Sequence, residues 1–288
     1  MIIIVESGAT KTDWCAVLKD GTTVPVKTEG MNLAVMDKDS IMAIIRQAAE
    51  ELKEGGATEK VTALHYYAAG LITVPGEDVP EVAKDLHEAL SSLYPGAQME
   101  YASDLLAAAR AVCGHGDGIA AILGTGSNSC LFKDGKIVKN VRSAGFILGD
   151  EGGGACLGKL FMADFLKGLV PSDISEEFAR DFRVDYMTVV ANVYRGQTPS
   201  KYLGSFAPWI LERYSRSEYV KNLVDRNFRD FFTRALLQYD VKKYRVGVVG
   251  GFGNANKDIL TKVGAEFGVT FSRIIGSPIE GLVDYHTS

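Results

Sequence analysis

The sequence predicts an α/β protein built from two domains with a cleft between them, and three observations lead to this fold class. A short apolar strand, a loop of small residues, a second strand, a Lys-Asp-Gly turn and a third strand occur in this order twice. Helical and strand-like segments follow each copy. The 288 residues are enough for two domains, and a pattern repeated in this way indicates a duplicated fold.

The first copy opens the chain. Apolar strands are predicted at residues 1–5 and 14–18, and an Asp-Gly pair then marks a hairpin turn into a third strand at 22–27. The spacing of apolar residues predicts a helix over 37–53, with Asp39 or Ser40 as its N-cap. The remaining elements of this half are a strand at 61–69, a helix at 80–93, a strand at 99–102 and a helix at 105–112.

The second copy has its strands at 118–123, 129–132 and 136–141. A glycine-rich run at 149–158 then precedes a long helical region to about residue 239, whose clearest helix spans 219–239. The last predicted elements are a strand at 245–249, a helix at 256–267 and a strand at 269–275. We place the boundary between the two halves near residues 107–116.

Composition and charge narrow the class of protein. A net charge of −5 and a pI near 5.5, without a block of Lys and Arg, argue against nucleic acid or an anionic membrane as a partner. No segment has a signal peptide's apolar core or the roughly 18 apolar residues that span a bilayer, so we expect a cytoplasmic protein. The cysteines lack metal-ligand spacing, which argues against structural zinc or a disulfide framework.

The loop from Glu6 to Thr12 is a candidate phosphate-binding loop. Small residues let backbone N–H groups approach an anion closely, and Gly8 provides this space. Thr10 and Thr12 offer hydroxyls and Lys11 offers positive charge, while Glu6 at the strand end could hold Mg²⁺ through water. The alternative is a tight hairpin with a solvated lysine.

The corresponding loop of the second copy has the same character. Its small residues are Gly124, Thr125, Gly126 and Ser127. Taken alone, this loop could be another hairpin turn. Because the two loops stand in matching strand contexts, we expect them to hold one polyphosphate from both sides. This arrangement predicts a nucleotide-dependent phosphotransferase or an ATPase.

Three further sites each have two interpretations. Asp104 follows a short strand and opens a helix, so it is either the N-cap of that helix or a general base at the cleft edge. Asp150, in the glycine-rich run, belongs either to a flexible turn or to a loop that accepts hydrogen bonds from sugar hydroxyls. Gly250 and Gly251 form either a tight strand-to-helix turn or a place where a nucleotide meets the backbone.

Together these segments resemble the N-acetylglucosamine kinase / BadF-BadG-BcrA-BcrD ATPase family, within the actin–hexokinase–Hsp70 superfamily. The resemblance covers almost the whole chain and is carried by the motifs SGATKTDW, YASDLLAAA, ILGTGSNS, SAGFILGDEGGG and VGVVGGFGN. It implies two RNase H-like (actin-like ATPase) domains around an interdomain ATP cleft, with Mg²⁺ at the phosphates. The expected domains are 1–110, with the segment at about 276–288 packed back on it, and 111–275, with a helical insertion at about 155–240.

The resemblance also implies residue roles. Asp104 matches the family's catalytic base, which would activate the 6-hydroxyl of an amino sugar such as N-acetylglucosamine. The phosphates of ATP would meet the two small-residue loops, and Gly250 and Gly251 would lie beside the adenosine. The residues expected to contact the sugar are Asn32, Asp104, Ser143, Ala144, Gly145 and Asp150.

Two other functions stay open at this point. One branch of the family consists of ATPase activators of dehydratases, which need cysteines to hold an iron–sulfur cluster between subunits. Cys156 lies after the glycine run, but the sequence offers no convincing second ligand. The other possibility is a non-catalytic sugar sensor, because Glu6 stands where the family usually has Asp. The helices of the second half could supply the surface of a homodimer.

Overall fold

Each half of the chain contains a five-stranded mixed sheet, and the two sheets share one topology. The computed structural model describes residues 1–8, 11–31, 33, 36–71 and 79–288. The chain divides into two compact units, the first made of 1–115 with 278–288 and the second of 116–277. The duplicated α/β architecture predicted from the repeated strand pattern is therefore confirmed.

The sheet of the first unit consists of β1 (Ile2–Ser7), β2 (Lys11–Val17), β3 (Thr23–Glu29), β4 (Ala63–Ala68) and β5 (Gln98–Ser103). The spatial order is β3-β2-β1-β4-β5. Strands β1, β2 and β3 form an antiparallel meander, whereas β4 and β5 continue the sheet parallel to β1. The carboxyl ends of β1, β4 and β5 therefore lie at the same edge of the sheet.

The described helices of this unit are α1 (Lys38–Glu54), α2 (Lys84–Leu93, after a 3₁₀ turn at Glu81–Ala83), α3 (Asp104–Cys113) and α13 (Ile279–Thr287). Helices α1 and α2 share a hydrophobic core with Ile3, Val5 and Trp14 on one face of the sheet. Helices α3 and α13 contact β1. Successive side chains of a strand point to opposite faces, so Glu6 and Asp13 lie on the face opposite that core.

The N-cap of α1 differs from the prediction. The carboxylate of Asp37 accepts the backbone N–H of Ser40 at 2.8 Å, and Asp37 has the extended backbone of a cap residue. Asp39 and Ser40, which the sequence suggested, already lie inside the first helical turn. The predicted cap was therefore wrong by two or three positions, because several cap-forming residues follow one another here.

Helix α13 returns the end of the chain to the first unit, where it packs on α3 and β1. A Cβ atom at Gly281 would collide with the backbone of Ala111, so the two helices approach closely. The hydroxyl of Tyr67 lies 2.7 Å from Nε2 of His286, and this contact joins β4 to α13.

The second sheet consists of β6 (Gly118–Leu123), β7 (Ser127–Lys133), β8 (Lys136–Val141), β9 (Val246–Val249) and β10 (Phe271–Ile275). Its spatial order is β10-β9-β6-β7-β8. The first three strands again form an antiparallel meander, and β9 and β10 run parallel to β6. Written in the reverse direction, as β8-β7-β6-β9-β10, this order matches β3-β2-β1-β4-β5 of the first sheet strand for strand.

The second unit contains the helices α4 (Gly145–Leu148), α5 (Gly154–Leu166), α6 (Ser172–Phe182), α7 (Tyr186–Val190, followed by a π turn at Ala191–Arg195), α8 (Pro199–Gly204), α9 (Ala207–Leu211), α10 (Glu218–Arg234, followed by a 3₁₀ turn at Leu236–Gln238), α11 (Gly251–Ala255) and α12 (Lys257–Glu266). Edge-to-face contacts of Phe178 with Phe161, Phe206 and Trp209 lie in its core.

Three helix boundaries of this unit differ from the predictions. Helix α10 ends at Arg234 rather than near residue 239, and a separate 3₁₀ turn at Leu236–Gln238 follows it. The predicted helix at 256–267 begins earlier and is interrupted at Asn256. Helix α5 begins within the glycine run, where contacts with the β6–β7 loop hold its first turn. Among the described helices, none combines the length and apolar character that a membrane crossing requires.

Candidate active site

The candidate residues of the first unit lie at the carboxyl ends of its parallel strands. Ser7 of β1, Ala68 of β4 and Ser103 of β5 are paired in register. Glu6 immediately precedes Ser7, and Asp104 immediately follows Ser103. Ligands of α/β proteins bind at this edge of the sheet, where the strand ends and the following loops supply polar groups.

Hydrogen bonds join the described residues on either side of the β1–β2 loop. The N–H of Gly8 donates to the carbonyl of Lys11 at 2.9 Å, and the hydroxyls of Ser7 and Thr12 lie 2.9 Å apart. Thr12 is fully buried, so its hydroxyl serves this internal contact, whereas Lys11 is exposed. Two predicted site residues, Thr10 and Asn32, lie outside the described residues.

Glu6 occupies a strongly perturbed environment. Burial raises the pKa of Glu6 to about 7, and the carboxylates of Asp13 and Asp104 act in the same direction, while Lys11 opposes them. Asp13 lies directly opposite Glu6 across the β1–β2 pair. Sequence reasoning missed Asp13, although its position opposite Glu6 follows once the hairpin register is known.

Asp104 is not the N-cap of α3, and the corresponding interpretation from the sequence was wrong. The cap is Ser103, whose hydroxyl accepts the N–H of Leu106 at 3.2 Å. Asp104 accepts the N–H of Leu105 on Oδ1 at 2.8 Å, which fixes its half-buried side chain. Burial raises the pKa of Asp104 above its ordinary value, against the effect of the Leu105 hydrogen bond.

The loop between β6 and β7 is held by the start of α5. The N–H groups of Gly154 and Ala155 donate to the carbonyls of Gly124 and Thr125 at 2.9 and 2.8 Å. A Cβ atom at Gly153 would lie 2.8 Å from the backbone of Thr125 and Gly126, closer than real Cβ contacts come. The glycines of the run at 149–158 therefore allow helix and loop to approach each other closely.

Asp150 joins two segments to which the sequence gave separate roles. Its Oδ1 accepts the N–H of Ser127 at 3.1 Å, and its own N–H donates to the carbonyl of Ser143 at 3.0 Å. Burial raises the pKa of Asp150, although the Ser127 N–H and the charge of Lys159 oppose that rise. The predicted phosphate loop and the predicted sugar loop thus meet at one residue, Asp150, which bonds to the first through its carboxylate and to the second through its backbone N–H.

The loop around Ser143 has an unusual backbone. Ala144 and Gly145 both have left-handed backbone, with φ of 59° and 71°. The N–H of Gly149 donates to the carbonyl of Gly145 at 2.8 Å, and Nζ of Lys159 donates to the carbonyl of Phe146 at 2.6 Å. The first of these bonds ends α4, and the second joins α4 to α5.

Gly250 belongs to the same corner of the second unit. Its backbone φ is 129°, and a Cβ atom there would collide with the carbonyl oxygen of Leu123, which directly precedes the β6–β7 loop. Gly251 is different, because no atom lies within 4 Å of a Cβ built on it. One glycine thus allows close backbone contact, and the other leaves open space at the start of α11.

Two further residues bear on the site. Asn227 of α10, which the sequence did not single out, accepts the Gly152 N–H at 3.1 Å and donates to the Gly153 carbonyl at 3.3 Å. No local pattern marks it, because its partners lie more than 70 residues away. Cys156 is buried within α5, and burial raises the pKa of its thiol to about 11, so it is a protonated core residue.

The duplicated sheet, with polar loops at its strand ends, has the actin-like ATPase fold. Similarity to one solved structure further identifies the chain as a phosphotransferase of the sugar-kinase class. A protein of Porphyromonas gingivalis, provisionally named an N-acetylglucosamine kinase, is 37% identical and superimposes with a TM-score of 0.88, over 99% of this chain and 98% of that one. On this evidence the chain belongs to the N-acetylglucosamine kinase family.

More distant structures share the fold. A protein of Chromobacterium violaceum, also provisionally named an N-acetylglucosamine kinase, has 20% identity and a TM-score of 0.75 over 99% of this chain and 98% of that one. A glucokinase of Balamuthia mandrillaris in complex with glucose has 14% identity and a TM-score of 0.54 over 92% and 83%. No protein-family model and no curated protein matches the chain.

Proposed function

We propose that the chain transfers the γ-phosphoryl group of ATP to the 6-hydroxyl of an amino sugar such as N-acetylglucosamine. The observation that carries this proposal is the placement of Asp104. Its carboxylate lies at the carboxyl edge of the first sheet, and Ser103 has taken over the capping of α3. A carboxylate that does not cap its own helix can serve substrate instead.

Asp104 would act as the general base. The hydrogen bond from Leu105 fixes one carboxylate oxygen, so the orientation of the other is set by the start of α3. The raised pKa of Asp104 makes it a stronger proton acceptor than an exposed aspartate. It would accept the proton of the 6-hydroxyl as the oxygen attacks the γ-phosphorus.

The other residues would bind and orient the substrates. Lys11 would supply charge to the phosphates. Backbone around Gly8 and along the β6–β7 loop would approach them closely. The residues proposed for the phosphates are Gly8, Thr10, Lys11, Gly124, Thr125, Gly126 and Ser127, and Thr12 would support the first loop through its contact with Ser7. Those proposed for the adenosine are Gly250 and Gly251, and those for the sugar are Asn32, Ser143, Ala144, Gly145 and Asp150.

Glu6, at the end of β1, suits a divalent cation. It is a half-buried carboxylate whose charged form needs compensation. Hard cations such as Mg²⁺ bind carboxylate oxygen, directly or through water. When bound, Mg²⁺ would neutralise charge on the phosphates.

The test is the variant Asp104→Asn, assayed for ADP release with N-acetylglucosamine, N-acetylmannosamine, glucose and no sugar. Loss of the base should lower sugar-dependent turnover by at least about 100-fold while ATP binding is retained. Asp85→Asn, an exposed aspartate in the first turn of α2, is the matched control and should be unaffected.

Three other results would contradict the base assignment or favour another function. Near wild-type phosphorylation by Asp104→Asn would exclude Asp104 as the base. Strong ADP release by the wild type without sugar would favour the ATPase activator, although the buried Cys156 offers that function no support. Sugar-dependent thermal stabilisation without turnover would favour the sensor.

A further inference from the structure

Asp13 is a buried carboxylate to which the proposed function gives no role. It is 5% exposed and lies on β2 between Glu6 of β1 and Lys27 of β3, each directly opposite it. Directly opposed residues of antiparallel strands place their side chains on the same face, with Cβ atoms about 5 Å apart. Asp13 and Glu6 are therefore neighbouring carboxylates at the edge where ligands bind.

The two oxygens of Asp13 differ in their surroundings. Oδ2 pairs with Nζ of Lys11 at 2.7 Å. Oδ1 is buried and accepts no hydrogen bond from the described residues, since Nζ of Lys27 lies 3.9 Å away. A buried carboxylate oxygen without a donor is costly, and a bound water or ion is one of the explanations for such an atom in native proteins.

We propose that Asp13 is a second carboxylate of the divalent-cation site, beside Glu6, and that its ion pair with Lys11 gives way when cation and nucleotide bind. This inference rests on the proposed function, because it concerns the same phosphate site. The ammonium of Lys11 pairs with the carboxylate of Asp13 and so neutralises its charge, as a bound cation would. Because Lys11 is more than half exposed, its side chain has room to turn from Asp13 to an incoming phosphate.

The charges on this face favour the exchange. Three carboxylates lie here, those of Glu6, Asp13 and Asp104. The neighbouring positive charges are those of two lysines, Lys11 and Lys27. Transfer of Lys11 to a phosphate would leave those carboxylates with one lysine. A divalent cation then supplies the charge that Lys11 no longer gives.

The experiment measures Mn²⁺ binding to the protein without nucleotide, by electron paramagnetic resonance of free Mn²⁺, so that no turnover is needed. Asp13→Asn should weaken Mn²⁺ binding roughly tenfold or more, as expected when a group of a metal site is lost. Lys11→Met should instead strengthen Mn²⁺ binding, because it removes the competing ammonium, while weakening binding of ATP. Asp39→Asn, an exposed aspartate of α1, is the matched control and should leave both affinities unchanged.

Opposite effects of the two variants on Mn²⁺ are the signature of the exchange. If Asp13 only orients Lys11, both variants weaken ATP binding and neither changes Mn²⁺ affinity, which would overturn the proposal. Thermal unfolding of each variant identifies an effect caused by misfolding, and Asp13→Glu, which keeps the charge, should restore part of the Mn²⁺ affinity. Failure of the proposed function would appear separately, as absent sugar phosphorylation in a wild type that still binds Mn²⁺.

Discussion

The backbone N–H of Ser127 donates to Oδ1 of Asp150 at 3.1 Å, and this bond links the β6–β7 loop to the glycine run 23 residues later. Asp150 can take this position because its backbone is left-handed, with φ of 60°, and because Gly126 has no side chain. A Cβ atom at Gly126 would lie 2.9 Å from the carboxylate. The β6–β7 loop is thus shaped by a carboxylate as well as by its own glycines.

Asp150→Ala should lower the free energy of unfolding by about 1–3 kcal/mol, because the Ser127 N–H loses its acceptor. Alanine is also less tolerant than aspartate of the left-handed backbone at this position. Asp150→Asn keeps an acceptor and tolerates that backbone, so it should stay within about 1 kcal/mol of the wild type. Urea unfolding of the three proteins provides the comparison, and equal losses in both variants would contradict the proposed role of the hydrogen bond.

Gly250→Ala should lower the free energy of unfolding by about 3 kcal/mol. The new methyl group would meet the Leu123 carbonyl, and the residue would have to keep a φ of 129°. Gly251→Ala is the neighbouring control, since its methyl group meets open space, and it should change stability by less than about 1 kcal/mol. Thermal denaturation checks both variants. A similar midpoint for the two would contradict the collision expected between a Cβ atom at position 250 and the Leu123 carbonyl.

Ser103→Ala should destabilise the protein by about 1 kcal/mol, because α3 loses its N-cap. Ser103→Thr, which keeps a capping hydroxyl, should lose less. If Asp104 then turns to cap the helix, sugar phosphorylation in Ser103→Ala should fall more than its stability explains. The measurement pairs urea unfolding with steady-state turnover. An unchanged kcat in Ser103→Ala would show that the capping of α3 by Ser103 does not affect catalysis.

His286 should make the stability of the first unit depend on pH. Burial, and then the charges of His65 and Arg110, lower the pKa of His286 from 6.5 to about 3. The unfolded chain therefore binds a proton at a pH where the folded protein does not. The stability that depends on neutral His286 is fully present above pH 6.5 and is lost as pH falls toward 3.

The check is the pH dependence of the thermal midpoint in the wild type and in His286→Gln, which can still pair with Tyr67 but does not titrate. The difference between the two proteins should grow in favour of His286→Gln as pH falls below 6.5. Glu100 adds a separate dependence of stability on acid pH, which both proteins share. Burial raises the pKa of Glu100, but hydrogen bonds from His65 and Arg110 outweigh that effect and lower it from 4.5 to about 2. Parallel curves for the two proteins would exclude titration of His286 as a cause.

The duplicated strands could be predicted from the sequence because they depend on local signals. Short apolar strands, small-residue loops and the two Lys-Asp-Gly turns recur in both halves, and β1–β3 and β6–β8 follow them. The motif resemblance likewise led to the family that the Porphyromonas gingivalis structure confirms.

What the sequence could not supply depends on contacts between distant residues or on choices between similar neighbours. Ser103 and Asp104 are both good caps, and only the backbone at the end of β5 decides between them. The bond between Ser127 and Asp150 and the pairing of Glu6 with Asp13 follow from how the loop and the strands pair, which no short window reveals. The roles of these residues toward ATP and sugar remain predictions.

The return of α13 to the first unit has a consequence for biosynthesis. The second unit is one continuous segment, 116–277, whereas the first needs both 1–115 and 278–288. Since domains fold as units, the first unit cannot complete its native contacts until the whole of the second has been synthesised. Residues near the start of the chain, Tyr67 among them, must wait for His286 to emerge from the exit tunnel.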